Sequence, residues 1–137
     1  MKKIAQLLCI VVFGCCTAQT TKERIFIKYE AITRGSFIEI TTSLDSISYK
    51  DTNTTKTVQL SKKATAKISS LISALKLHKL KEFQVSSINS ARDAALQATF
   101  SIIKNGKSYK TLPFDHGNPP KEIKFLIEFL FKNSEIE

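Results

Sequence analysis

The sequence predicts an α+β domain in which a mostly antiparallel sheet of five or six strands carries two helices on one face. Two observations lead to this fold class. Segments of period-two alternation, separated by short turn signals, occupy residues 25–60 and 96–114, whereas residues 61–75 and 118–131 repeat apolar side chains at helical spacing. The predicted order is therefore a β-meander, a helix, a β-hairpin and a second helix.

Ahead of this domain, the chain begins with the layout of a secretory signal. Lys2 and Lys3 precede an apolar run over residues 4–13, and small residues follow at 14–18. A membrane-spanning helix needs about 20 apolar residues, roughly twice the length of this run. We predict a signal peptide over 1–18 and a single domain over 19–137.

Two processing routes fit the end of this signal. Small residues at Cys16 and Ala18 fit cleavage by ordinary signal peptidase, which would leave Gln19 as the first residue of a periplasmic or secreted protein. The segment that ends at Cys15 resembles a bacterial lipobox, in which the cysteine is lipidated and holds the protein on a membrane. Phe13 departs from that pattern, because a small residue is usual there. Both routes stay open.

Composition limits the chemistry of the mature domain. All three cysteines precede residue 17, so disulfides, thiolate metal sites and a cysteine nucleophile are excluded from residues 19–137. Removal of the two leader lysines takes the formal charge from +9 to +7, which favours anionic partners. The lysines are scattered and no arginine-rich stripe occurs, so nucleic acid is not an expected partner. The expected partner is an envelope protein, a glycan or an anionic lipid.

The first half of the domain predicts the meander. Gly35 supplies the flexible position of the first turn, and a polar stretch at 43–46 supplies the second. A polar loop tip at 51–56 separates the last two strands. The predicted strands are 25–32, 37–42, 47–50 and 57–60.

The hairpin in the second half carries the clearest local signal. The Asn105-Gly106 pair predicts a two-residue type I′ turn, whose twist matches that of natural strands. If this turn sets the register, Ile102 pairs with Tyr109 and Phe100 with Thr111 on one face. Apolar residues on the opposite face predict that part of that side is covered: Ile103, Leu112 and Phe114.

The two helices are predicted from their caps and apolar stripes. Ser61 caps the first helix, and Asn118 caps the last, with Pro119 at the first helical position. Phe125 and Phe129 lie outside the apolar stripe of the last helix. They either pack against a neighbouring loop or present an aromatic pair to a partner or a membrane surface.

The strand-to-helix connection at 115–120 holds the residues with the most chemical potential. One hypothesis makes Asp115 and His116, with Asp93, an acid-base or metal-binding group. The structural alternative is a tight connection in which Asp115 bonds to loop amides. His78, the other histidine, stands in no metal-ligand spacing with His116, so no metal or cofactor is predicted.

Two loop arginines are candidate ligand-binding residues. Arg34 lies in the first hairpin turn, and Arg92 stands next to Asp93 before the fifth strand. A guanidinium group forks onto a carboxylate through two parallel hydrogen bonds, so either arginine could lock two loops together by pairing with Asp93 or Asp115. If these arginine and aspartate side chains are instead open to solvent, they would form a small pocket for an acidic ligand.

Three segments carry a resemblance to a known group. YEAITRG at 29–35, RDAA at 92–95 and FDHGNPP at 114–120 resemble small exported proteins of Bacteroidota. The resemblance extends over most of the mature chain. It implies a compact envelope domain and carries no particular activity with it.

Two functions follow as hypotheses. The first is a non-catalytic binding or accessory domain of the cell envelope. The alternative is a small hydrolase or metal-dependent enzyme that uses Asp93, Asp115 and His116. A water-filled cleft in which these side chains meet Arg34 would favour the enzyme, whereas mutual burial of Asp115 and Arg34 would exclude it.

Overall fold

The computed structural model describes residues 23–85 and 96–134 of the 137-residue chain. Seven strands are present in this part of the chain: β1 (Ile25–Thr33), β2 (Ser36–Thr42), β3 (Ser46–Asp51), β4 (Thr55–Gln59), β5 (Gln97–Lys104), β6 (Lys107–Lys110) and β7 (Phe114–Asp115). Two α-helices, α1 (Lys62–Ala74) and α2 (Lys121–Ser134), and a 3₁₀ helix at Leu77–Glu82 complete it.

The strands form one antiparallel sheet in the order β4-β3-β2-β1-β5-β6. The long strand β5 pairs with β1 along one side and with β6 and the short β7 along the other. The first four strands are the predicted meander, and the two long central strands are β1 and β5. The α+β fold predicted from the sequence is confirmed.

One face of the sheet holds the core. In β1, alternate side chains from Ile25 to Ala31 are buried, whereas Phe26 and Ile32 point to the opposite face and are exposed. Both helices bury their apolar stripes in the same core cluster, with Ile68 from α1 among them. Burial of each large aliphatic or aromatic side chain contributes about 1.5–3 kcal/mol to folding. The predicted position of both helices on one face is confirmed.

The predicted hairpin register is confirmed near its turn. Asn105 and Gly106 both have positive φ, 50° and 80°, as a type I′ turn requires, and Ile102 pairs with Tyr109. The backbone N–H of Thr111 donates to the carbonyl of Phe100 at 2.9 Å. A two-residue turn therefore fixes which side chains of β5 and β6 face the core.

Beyond Thr111 the register slips by one residue. The Thr111 side chain accepts from the Phe100 N–H, Pro113 has no N–H to offer, and pairing resumes with Phe114 opposite Ala98. A one-residue slip turns each following side chain to the other face. Phe114 is therefore buried in the core, and its predicted place on the opposite face is wrong.

The other two residues that were predicted to be covered on that opposite face are not covered. Ile103 and Leu112 both have exposed side chains. Lys28 of β1 forms ion pairs with Glu30 at 3.3 Å and Glu39 at 2.8 Å. Around these residues the outer face of the sheet is open to solvent.

The start of α1 agrees with the prediction from the sequence, and the start of α2 differs from it. Ser61 caps α1, since its side chain accepts a hydrogen bond from the Ala64 N–H at 3.1 Å. The last helix begins at Lys121 rather than at Pro119. Asn118 instead closes the preceding turn by donating its backbone N–H to the Asp115 carbonyl at 2.9 Å. The predicted cap of the last helix is therefore wrong.

Candidate functional site

The strand register brings the loops that carry the predicted site residues to one end of the sheet. Ile32 at the end of β1 pairs with Gln97, and Gln97 pairs with Asp115. Arg34 therefore lies in a turn at the same end of the sheet as Asp115. Arg34 is exposed, whereas Asp115 is only 5% exposed. Arg92 and Asp93, like the lipidation candidate Cys15, lie outside the described residues.

Asp115 and His116 are neighbours in the chain, but their side chains lead in different directions. Phe114 faces the core, so strand alternation directs Asp115 to the opposite face of the sheet. His116 instead contacts Tyr29, whose ring lies on the core face. This divergence disfavours joint action of Asp115 and His116 as an acid-base pair.

The contact between Tyr29 and His116 is a polar pair within an aromatic cluster. The Tyr29 hydroxyl oxygen lies 2.7 Å from Nδ1 of His116, although the two residues stand 87 positions apart in the chain. Phe131 of α2 packs edge-on against Tyr29, with ring centroids 5.2 Å apart, and lies 6.0 Å from the His116 ring. Phe114 adds a fourth ring at 6.2 Å from Tyr29. Such pairs add about 0.5–1.5 kcal/mol beyond burial.

Burial keeps both partners of this pair neutral near pH 7. It raises the pKa of Tyr29 and lowers the pKa of His116, because the charged form of each would lose hydration. A neutral phenol is a better hydrogen-bond donor than acceptor. We therefore assign the Tyr29 hydroxyl as the donor to Nδ1, which leaves the ring proton of His116 on Nε2.

A pocket of about 400 Å³ opens beside this pair. Tyr29, His116 and Phe131 contribute three aromatic rings to its wall, and Glu128 and Lys132 contribute charged groups from successive turns of α2. The loop between β7 and α2 closes one side with Gly117 and Pro119. The pocket can therefore offer a planar apolar surface, a ring N–H donor and a cation to one small molecule.

Of these pocket residues, the sequence marked only His116 as a candidate functional residue. Tyr29 reads as an ordinary inward-facing residue of a strand, and Phe131 as part of the buried stripe of a helix. No local pattern links them, because β1 and α2 meet only through the tertiary packing.

The helices create a second feature of interest on the outer side of their layer. Phe125 is 73% exposed, although it stands in the middle of the first half of an amphipathic helix. It borders a groove between α1 and α2 that also contains Leu75, Lys79 and Phe83. Phe129 is half-buried and lines a second groove with Lys63. Phe125 is therefore presented to solvent, and Phe129 partly packs against the core.

Charge is distributed unequally between the two layers of the fold. We define the helical layer as residues 61–85 and 121–134, which hold nine lysines and three glutamates and thus a formal charge of +6. All nine of these lysines are exposed. The rest of the described chain holds eight cationic and six acidic side chains, a formal charge of +2. Most of the positive charge therefore lies on the helical layer.

The part of the chain that the structure describes holds neither a metal-binding group nor a helix that could span a membrane. Residues 23–85 and 96–134 contain no group of three or more His, Cys, Asp or Glu side chains placed to hold a metal ion. Within the same residues, neither helix has the length and hydropathy of a membrane span.

Comparison of the chain with protein-family models, with curated proteins and with solved structures finds no match.

Proposed function

We propose that this chain is a non-catalytic binding domain of the cell envelope that docks on an anionic lipid surface through its helical layer. The observation that carries the proposal is the exposed ring of Phe125 on a layer with a formal charge of +6. The proposal assigns no catalytic role to Asp93, Asp115 or His116.

Electrostatic attraction is the first contribution to docking. A lysine close to an anionic bilayer contributes about 1 kcal/mol, and the attraction decays within a Debye length of about 8 Å at physiological salt. Only the lysines that face the bilayer at one time contribute, so three or four contacts give a few kcal/mol. The sheet side of the molecule, at +2, gains far less from the same surface.

Insertion of an aromatic ring is the second contribution. Phe125 keeps 73% of its surface in water, so burial in the boundary between headgroups and acyl chains would recover most of the free energy that a phenylalanine gains on leaving water. Lys121 and Lys124 flank it on the same helix, and long lysine side chains reach headgroup phosphates while their neighbours insert.

The types of side chain favour lipid over an acidic protein as the partner. Every cation of the helical layer is a lysine, and no arginine, tyrosine or tryptophan occurs in it. Arginine, tyrosine and tryptophan dominate the binding energy of protein interfaces, and arginine recognises carboxylates in fixed bidentate geometry. A lysine is a point charge that suits a diffuse anionic surface.

The predicted export signal is compatible with this proposal. Stable membrane attachment takes two signals, and a single lipid chain gives only marginal binding. If Cys15 is lipidated, its diacylglycerol group supplies two acyl chains, and the helical layer adds a contact that orients the domain on the membrane. If the chain is instead released at Gln19, the same layer supports reversible docking.

A vesicle-binding experiment tests the proposal. Residues 19–137 are mixed with vesicles of phosphatidylcholine alone or with vesicles of equal parts phosphatidylcholine and phosphatidylglycerol, and binding is measured by co-sedimentation. We expect binding to the anionic vesicles only. Binding should decline steeply as salt approaches 1 M, where the Debye length falls to about 3 Å.

Variants assign the binding to the helical layer. Lys63→Glu combined with Lys67→Glu should weaken binding about tenfold or more, since two favourable contacts become repulsive. Lys107→Glu combined with Lys110→Glu changes the net charge equally on the sheet and should have a small effect. Phe125→Ser should weaken binding without changing its salt dependence.

Equal losses in the two double variants, or failure to bind anionic vesicles, would refute the proposal. Binding to polyglutamate without binding to vesicles would point to an acidic protein instead.

A further inference from the structure

We propose that the pocket beside Tyr29 and His116 is a binding site for a small aromatic carboxylate. This site lies between the loop after β7 and the second half of α2, apart from Phe125 and its groove. The inference does not depend on membrane docking.

The wall of the pocket suits a flat apolar ligand body. Tyr29, His116 and Phe131 lie with their ring centroids 5.2–6.0 Å apart, and their planes are inclined to one another by 54–77°. Ile127 adds an aliphatic side chain to the wall. A planar ring can therefore meet one aromatic edge and one aromatic face at the same time, which is the favoured geometry for such contacts. The volume of about 400 Å³ lies within the range of small-molecule sites.

The Tyr29–His116 hydrogen bond prepares a donor for the ligand. Because the 2.7 Å bond occupies Nδ1, it fixes the orientation of the imidazole ring and leaves the proton on Nε2. An N–H held in place by a buried partner loses little freedom when it donates to a ligand oxygen. Neutral His116 also avoids the hydration that a charged imidazolium would lose on partial burial.

The pocket wall carries one carboxylate, that of Glu128, and one ammonium group, that of Lys132. With Lys124 beside Glu128, the three charges sum to +1, which favours an anion. Glu128 already has a cationic neighbour in Lys124, with 3.9 Å between Nζ and Oε1. Lys132 is exposed and lies one turn after Glu128 on α2. It forms no ion pair with any of the described residues. A carboxylate could accept from the His116 N–H and lie near the Lys132 ammonium group. The positive charge of the whole domain attracts such a ligand towards the surface.

Three probes of the same size and different charge test the proposal. Benzoate, benzyl alcohol and benzylamine are each titrated into residues 19–137 without lipid, and binding is followed by NMR shifts of the His116 and Phe131 rings. We expect benzoate to bind about fivefold more tightly than benzyl alcohol, and benzylamine to bind least. Tighter binding of benzylamine would overturn the anion assignment, and the absence of shifts with all three would overturn the site.

Two variants locate the contacts. Lys132→Gln should reduce benzoate affinity about fivefold and leave benzyl alcohol unchanged, whereas the control Lys67→Gln, which removes the same charge from an exposed position of α1 outside this pocket, should leave both unchanged. His116→Phe should weaken both oxygen-bearing probes. Circular dichroism checks that this variant folds, and Lys132→Gln keeps the test decisive if it does not. Equal benzoate affinity in the wild type and Lys132→Gln would contradict the proposal.

Phe125→Ser separates this proposal from membrane docking. The variant should bind benzoate as the wild type does, because Phe125 does not line the pocket. Loss of benzoate binding in Phe125→Ser would show that the two surfaces are not independent and would contradict the site as drawn. Loss of vesicle binding alone leaves the pocket proposal supported.

Discussion

The Tyr29–His116 pair shows how a polar contact can be tolerated in an aromatic cluster. A hydrogen bond contributes only about 0.5–1.5 kcal/mol net, whereas a buried polar group without a partner costs about 1–3 kcal/mol. The hydroxyl of Tyr29 lies at the core face of a central strand, so His116 satisfies a group that water cannot easily reach. The described residues contain no buried side-chain nitrogen or oxygen without a hydrogen-bond partner.

Titration of His116 predicts a pH dependence of stability. Burial lowers the pKa of His116 in the folded state, so the unfolded chain binds the proton more readily as the pH falls below about 6.5. The free energy of unfolding should therefore decrease as the pH falls from 7.5. Below the pKa of His116 in the folded protein, both states bind the proton and this decrease stops.

The variant His116→Asn isolates this contribution. Urea unfolding is measured for the wild type and the variant at pH 7.5 and pH 5.0, and all other residues are the same in both proteins. We expect the wild type to lose more stability than the variant over this interval. Equal losses would show that burial of His116 does not set its protonation.

At the scale of the elements, α1 depends on its cap and on burial. Its first turn contains Lys62 and Lys63 and no acidic residue, so its charges oppose the helix dipole. The Ser61 side chain satisfies one of the orphan N–H groups, and Ile68 and Ile72 are fully enclosed by the core. Tertiary burial therefore compensates for an unfavourable helix start.

Removal of the cap gives a prediction for this helix. Ser61→Ala should reduce the free energy of unfolding by about 1 kcal/mol, because the Ala64 N–H loses its acceptor. Ser70→Ala, an exposed position within the same helix, should be neutral or slightly stabilising, since alanine is the better helix former. Urea unfolding at pH 7.5 measures both, and equal effects would argue against the cap.

At the scale of the whole molecule, the two layers differ in chemistry as well as in structure. The helical layer carries +6 and an exposed phenylalanine, whereas the outer face of the sheet pairs its Lys28 with Glu30 and Glu39. Such a distribution orients a molecule near a charged surface, because one side is attracted more strongly than the other. The proposed docking places the helices towards the lipid and the outer sheet face towards solvent.

The amino terminus of the mature protein decides how permanent that docking is. We expect export to remove the leader, and mass spectrometry of the protein purified from its native host distinguishes the two products. A terminus at Gln19 indicates free release and reversible docking, whereas an acylated Cys15 indicates anchoring with the helical layer as the second contact. A full-length chain beginning at Met1 would contradict the predicted signal peptide.

Elements whose causes are local could be predicted from the amino-acid sequence. Period-two alternation, a two-residue turn that needs positive φ, and a serine before an apolar helical stripe each act over a few residues. For that reason β5 and β6, their register at Asn105 and Gly106, and the start of α1 could be predicted. Charge could also be predicted, but its concentration on one layer follows only once the helices are placed together.

The composition of the candidate pocket depends on contacts between residues that are distant in the chain. Tyr29 and His116 are joined by the order of strands, which sets β7 beside β5 and β5 beside β1, and Phe131 reaches them from the last helix. The one-residue slip at Pro113 decides that Phe114 faces the core and that Asp115 faces the opposite side. Contacts between residues 87 or more positions apart depend on how all the intervening elements pack, and no local pattern in the chain encodes that packing.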